Sequence, residues 1–173
     1  FNSNLSDEEK QKILKDLKEI ATTSPYHWVD YYIGEWYDRG WGGEEKKNQA
    51  VVWWNKGITG GNAAAMYNLA GAYEDGNLGL TQSDTKANEL YALAAEKGHA
   101  KARYDLGCSY ECGTGVEIDF NRCVELWEQS AKQGYVSAQF NLAHLYRFGS
   151  RDNENGNPMT IPLNHPLHFK WAL

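Results

Sequence analysis

The chain has 173 residues, enough for a substantial core in one domain or in a short array of repeats. Its 17 basic against 23 acidic side chains give a net charge of −6, which argues against a nucleic-acid surface built on a Lys/Arg stripe. Aromatic residues reach 13%, too many for a disordered chain, yet no apolar run approaches the ~20 residues of a membrane-spanning helix.

The first predicted helix covers about residues 6–22. Ser6 and Glu9 have the spacing of a capping box, and Lys10, Lys12, Lys15 and Lys18 alternate with Glu8, Glu9, Asp16 and Glu19 as on a solvated face. Pro25 after Ser24 suits the first position of the next helix, predicted over 25–38. Further helices follow over 44–59, 63–75, 83–97, 100–112, 119–133, 136–148 and 164–173. Ser83 and Asp119 stand where their side chains can accept the free N–H groups of the helices they precede.

These elements repeat. Ala65-Met66-Tyr67-Asn68-Leu69-Ala70, Ala102-Arg103-Tyr104-Asp105-Leu106-Gly107 and Ala138-Gln139-Phe140-Asn141-Leu142-Ala143 align at offsets of 37 and 36. Each is followed by a tyrosine (Tyr73, Tyr110, Tyr146) and a glycine (Gly76, Gly113, Gly149), with Ile33, Tyr37 and Gly40 in the same register upstream. A second block runs Ala50, Trp54, Gly61; then Ala87, Tyr91, Gly98; then Cys123, Trp127, Gly134. The terminal Trp171-Ala172-Leu173 matches Tyr91-Ala92-Leu93 and starts a further copy of it. Glycines after each block fit the position where a helix ends in a positive φ, and the alanines at 65, 102 and 138 let neighbouring helices approach closely. One helix pair of this size cannot bury its apolar face alone; stacked copies can. From Tyr146 to Trp171 the chain takes 25 residues against 17 from Tyr110 to Trp127, so an exposed excursion is expected at 150–163. Phe1 in place of Met, and an ending in mid-helix at Leu173, lead us to expect a piece of a longer protein.

Residues 102–134 carry Ala102, Leu106, Gly107, Tyr110, Gly113, Gly115, Val116, Asp119, Trp127, Ala131 and Gly134, and residues 65–98 carry nearly the same set. In this pattern the chain resembles the Sel-one-like repeat family, relatives of the tetratricopeptide repeats. The resemblance covers about 25–173, in copies near 25–61, 62–98, 99–134 and 135–173, the last truncated, with 1–24 as an N-terminal capping helix. It implies an all-α fold, a right-handed α-α superhelix, whose first helices line a concave face that holds peptides or partner proteins. The first copy departs from the pattern, with Gly43 and Lys46 where Val and Asp are usual and Trp41 in its loop.

First-helix positions that the repeat leaves free are the candidate partner-binding residues. They are Trp28, Tyr32, Glu35, Trp36 and Arg39 in the first copy, and Asn68, Gly71, Ala72 and Asp75 in the second. Lys101, Asp105, Cys108 and Cys112 follow in the third, and Asn141, His144 and Phe148 in the fourth. Their mixture of amides, acids, aromatics and arginine suits an extended peptide, whose backbone needs hydrogen-bond partners. Trp54, sharing a repeat position with Tyr91 and Trp127, is read as core filling.

Two chemical readings are weighed against this one. Cys108, Cys112 and His144, with Asp75 as a distant fourth group, have the ligand types zinc takes, and Cys108 with His144 has those of a nucleophile and its base. His165 and His168 have ligand spacing, but Pro166 between them favours a helix start. Isolated cysteines are more often small hydrophobes. No metal, cofactor or catalytic group is therefore expected, and the chain reads as a non-catalytic scaffold or adaptor for a protein or peptide. It is expected as a monomer or as one subunit of a hetero-complex, without direct membrane insertion. Three cysteines make no even disulfide framework, which favours a reducing, cytoplasmic setting. The alternatives are a structural subunit of a larger, membrane-attached complex and, more remotely, a hydrolase like those proposed among cysteine-rich members of the family.

Overall fold

Helical apolar spacing along the chain, broken by glycine at nearly every turn, yields paired helices. The computed structural model describes residues 5–24, 27–43 and 46–148, and among these the chain forms helices and no strand. They are α1 (Asp7–Thr23), α2 (Trp28–Asp38), α3 (Gln49–Thr59), α4 (Ala63–Asp75), α5 (Asp84–Glu96), α6 (Ala100–Cys112), α7 (Phe120–Lys132) and α8 (Val136–Phe148). The helix expected over 164–173, the loop over 150–163 and the two histidines near the end lie outside the described residues.

The helix ends follow from their side chains. The capping box before α1 is present: Glu9 N–H donates to Ser6 Oγ at 3.3 Å and Ser6 N–H to Glu9 Oε2 at 2.7 Å. Ser83 and Asp119 cap α5 and α7, accepting from the backbone N–H of Lys86 and Arg122. Gly76 and Gly113 end α4 and α6 in the left-handed region, at φ 65° and 73°. A Cβ at Gly113 would meet Ile118 Cγ1 at 2.8 Å, so the position needs glycine on two counts.

Two helices start later than expected. α2 begins at Trp28 instead of residue 25, with His27 as its cap, while Pro25 itself lies outside the described residues. α3 begins at Gln49, five residues after the expected start. Here the first copy has Lys46 where the later copies place a capping Ser83 or Asp119, and its cap Asn48 makes no side-chain hydrogen bond.

The chain divides into two compact units, Phe1–Gly98 and His99–Leu173. In the first, α1 packs on α2, α2 on α3 and α4, α3 on α4, and α4 on α5. Its core joins Val29, Ile33, Trp36, Tyr37, Trp54, Ala65 and Leu69, with Leu14 as the buried residue of α1. Lys18 Nζ also donates to Tyr37 Oη at 2.7 Å, tying α1 to α2. In the second unit α6 packs on α7 and α7 on α8 around Cys123, Trp127, Ala138, Leu142 and Tyr146.

The close approach expected at Ala65, Ala102 and Ala138 is seen as complete burial of all three. Glycine and tryptophan repeat the device within a helix pair. A Cβ on Gly34 would stand 2.3 Å from Trp54 Cδ1, and one on Gly107 2.6 Å from Trp127 Cδ1. In the second copy, where the aromatic is the smaller Tyr91, the same first-helix position holds Ala70. Trp54, Tyr91 and Trp127 are all buried, as read from the sequence.

Candidate functional site

On α2, Val29, Ile33, Trp36 and Tyr37 form the core stripe at i, i+4, i+7 and i+8. Tyr31, Glu35 and Asp38 occupy the adjoining stripe, and they face Tyr67, Asn68, Gly71 and Asp75 of α4 across a cleft of about 320 Å³. A second cleft of about 210 Å³ shares Tyr31 and Glu35 and is completed by Tyr32, Trp36, Arg39 and Trp41. Glu35 thus forms the wall between them.

Its carboxylate is held from both sides. Asn68 Nδ2 donates to Glu35 Oε1, and Arg39 Nη2 lies 3.5 Å from Oε2. Arg39 also lies over the Trp41 ring at 5.4 Å, and Trp41 packs edge-on against Trp36 at 4.8 Å. Burial pushes the Glu35 carboxyl above its ordinary pKa, with Arg39 opposing the shift. Asp38 is raised for the same reason, against the pull of Lys47 and Arg39.

Unit 2 presents related positions on α6 and α8. Asn141 Nδ2 donates to Tyr104 Oη at 3.2 Å, so Asn68 and Asn141, equivalent in the repeat, each bond the first helix of the preceding copy. Tyr104 stacks on Trp127 at 6.1 Å, and burial raises its hydroxyl to about 12. The Cys108 thiol is pushed up to about 11, again chiefly by burial. Burial thus favours the thiol over the thiolate that a nucleophile must supply. Among the described residues no group of three or more His, Cys, Asp or Glu stands close enough to hold a metal ion.

Of the residues singled out from the sequence, Tyr32, Glu35, Trp36 and Arg39 meet at the smaller cleft, and Glu35, Asn68, Gly71, Ala72 and Asp75 at the larger. Trp28 is half exposed and packs edge-on against Tyr32 at 5.9 Å. Lys101 and Cys112 are exposed, while Asp105, Cys108, Asn141 and His144 are partly buried. The side chain of Phe148 lies outside the described residues. Trp36 is a correction. Although it borders the smaller cleft, it is 2% exposed and packs in the core, because it stands three residues after Ile33 on the packed side of α2. Ala72, its counterpart, is buried in the same way.

Tyr31, Tyr67 and Asp38 were not expected at a site. The signal for the two tyrosines was an aromatic recurring at one position of each first helix (Tyr31, Tyr67, Tyr104, Phe140), which reads equally well as packing. No helix among the described residues is long and apolar enough to cross a membrane.

The sequence pattern of the Sel1 repeat matches residues 30–62, 63–99, 100–135 and 136–156. The chain is 35% identical over 85 residues to "Chitin synthase regulatory factor 3" of Schizosaccharomyces pombe, covering 49% of this chain and 9% of that protein. It is 33% identical over 99 residues to "Exopolysaccharide production negative regulator" of Rhizobium leguminosarum bv. viciae, covering 50% of this chain and 36% of that one. The chain therefore spans well under two thirds of either relative. Among solved structures, a Sel1 repeat protein from Oxalobacter formigenes superimposes with a TM-score of 0.74 at 26% identity, over 81% of this chain and 56% of that one. The fold class is the α-helical repeat solenoid expected from the sequence.

Proposed function

Because the chain belongs to the Sel1 repeat family, we propose that it acts as a non-catalytic scaffold that binds a protein or peptide on its first-helix face, in a regulatory role. The observation carrying this reading is the pair of open, polar-aromatic clefts around Glu35, where Glu35, Arg39, Asn68 and Asp75 stand outside the core beside packing residues. Names of relatives containing "regulatory factor" and "negative regulator" agree with it. The burial of the Cys108 thiol favours a binding role over nucleophilic chemistry.

The test is affinity capture on the tagged chain, wild type beside an Arg39→Glu/Asp105→Lys/Asn141→Ala variant, read by quantitative mass spectrometry. A protein recovered by the wild type and lost from the folded variant is expected, and its direct binding is then measured with the purified pair. Equal recovery by both would move binding off this face.

A further inference from the structure

The larger cleft of unit 1 has a composition that selects its ligand. Glu35, Asp38 and Asp75 line it together with Tyr31 and Tyr67, and no lysine or arginine does. Arg39, which pairs with Glu35, lines the smaller cleft, and Lys47 acts on Asp38 from the connection between α2 and α3. The cleft lining itself is acidic and amide: Asn68 donates to Glu35, and Asn77 Nδ2 to Asp75 at 3.3 Å, while Arg39 reaches Glu35 and Asp38, and Lys47 reaches Asp38, from outside that lining. Desolvation raises both Glu35 and Asp38, as it does where water is partly excluded and no cation of the protein compensates fully.

The cleft is also open for a side chain to enter. Gly71 occupies the position held by Glu35, Cys108 and His144 in the other copies. A Cβ there would touch only Tyr91 Oη, at 3.9 Å, so this lining position offers space where the other copies carry a functional side chain.

We infer that this cleft is a socket for an arginine side chain of a partner peptide, its guanidinium held among Glu35, Asp38 and Asp75 and laid against the Tyr31 or Tyr67 ring. A planar guanidinium suits both surfaces, bonding carboxylates through paired N–H groups and aromatic rings through its face. The cleft volume of about 320 Å³ accommodates one such side chain. The inference rests on the reading of the first-helix face as an interaction surface and names the chemistry it selects.

The probe is a short fluorescein-labelled peptide with arginine at every third position among glycine and serine. It is titrated by anisotropy into the full chain at low and moderate salt. Matched peptides carry citrulline, lysine or glutamate in place of arginine. The arginine peptide is expected to bind, lysine more weakly, and citrulline at least ~tenfold more weakly, since it keeps the shape and loses the charge. Gly71→Leu, which fills the cleft while adding a better helix former, is expected to cut arginine-peptide binding ~tenfold with no fall in melting temperature. Glu35→Gln/Asp75→Asn should do the same, whereas Glu117→Gln/Glu125→Gln, an equal change of charge on unit 2, should leave binding intact.

Equal affinity for citrulline and arginine would overturn the inference while leaving a peptide-binding face. Binding indifferent to both Gly71→Leu and the Glu35/Asp75 variant would overturn it by placing the arginine elsewhere. Failure of the capture experiment as well would remove the interaction reading on which it rests.

Discussion

At the scale of single residues, the tightest constraint in unit 2 is the contact between Gly107 and Trp127. The indole lies so close to α6 that its Nε1 donates to the Tyr104 carbonyl at 3.2 Å, and it is 1% exposed. One added methyl at Gly107 has nowhere to go. Gly107→Ala should gain a few tenths of a kcal/mol to ~1 from helix propensity and lose more to overpacking, for a net destabilisation of ~1–2 kcal/mol. Urea unfolding followed by tryptophan fluorescence would measure it, and a variant as stable as the parent would show that α7 can shift without penalty. The candidate first-helix residues are under a different constraint. Asn68 and Asn141 satisfy amide groups inside the molecule, so truncating them disturbs neighbouring first helices as well as any ligand.

At the scale of elements, α1 shows how a helix outside the repeat is held. It buries Leu14 against the first pair and sets Ile13, Leu17 and Ala21 partly buried around it, while Lys18 reaches the Tyr37 hydroxyl. Leu14→Ala should cost ~2–3 kcal/mol, the low end of the range for large-to-small changes, because a terminal helix can settle into the gap. Thermal melting followed by circular dichroism checks it; no loss would mean that α1 contributes nothing to the stability of the first pair. Much of this architecture was legible beforehand. The helices at 63–75, 100–112 and 136–148 begin and end as read, since each lies between a small residue and a glycine in register. The start of α3 was misplaced because the first copy lacks the capping side chain that marks the later ones, and that of α2 because it was set on Pro25 after Ser24, whereas the helix starts at Trp28 after His27. The site was legible in part. Choosing the non-repeating positions named Glu35, Asn68 and Asp75, which line the clefts, and also Trp36 and Ala72, which border them but are buried through their i+3 relation to Ile33 and Leu69. It passed over Tyr31 and Tyr67, because an aromatic that recurs in every copy looks like packing until the cleft beside it is seen.

At the scale of the whole molecule, helix packing among the described residues chiefly follows chain order. Within unit 1 each helix packs chiefly on its neighbours in sequence, and a continuous core runs from Leu14 to Leu69 and Ala72. Stability in such folds is a sum over copies and their nearest-neighbour contacts. Residues 1–98 made alone should therefore fold, melt in a single cooperative transition and retain both clefts around Glu35. Far-UV circular dichroism and urea titration of that piece decide the matter; a broad, non-cooperative transition would show that unit 1 depends on residues beyond Gly98.

The matched sizes of Gly34 with Trp54, Ala70 in the copy bearing Tyr91, and Gly107 with Trp127 bear on how such a chain can evolve. A first helix carrying alanine cannot be joined to a second helix carrying tryptophan without collision, and the reverse exchange leaves a void. The two helices of a copy thus inherit each other's choices. Duplication or recombination that moves an intact hairpin preserves the fit, while a crossover between its helices breaks it. New first-helix faces, with new ligands, are then gained by shuffling whole pairs, which leaves the inner seam of each pair as it was.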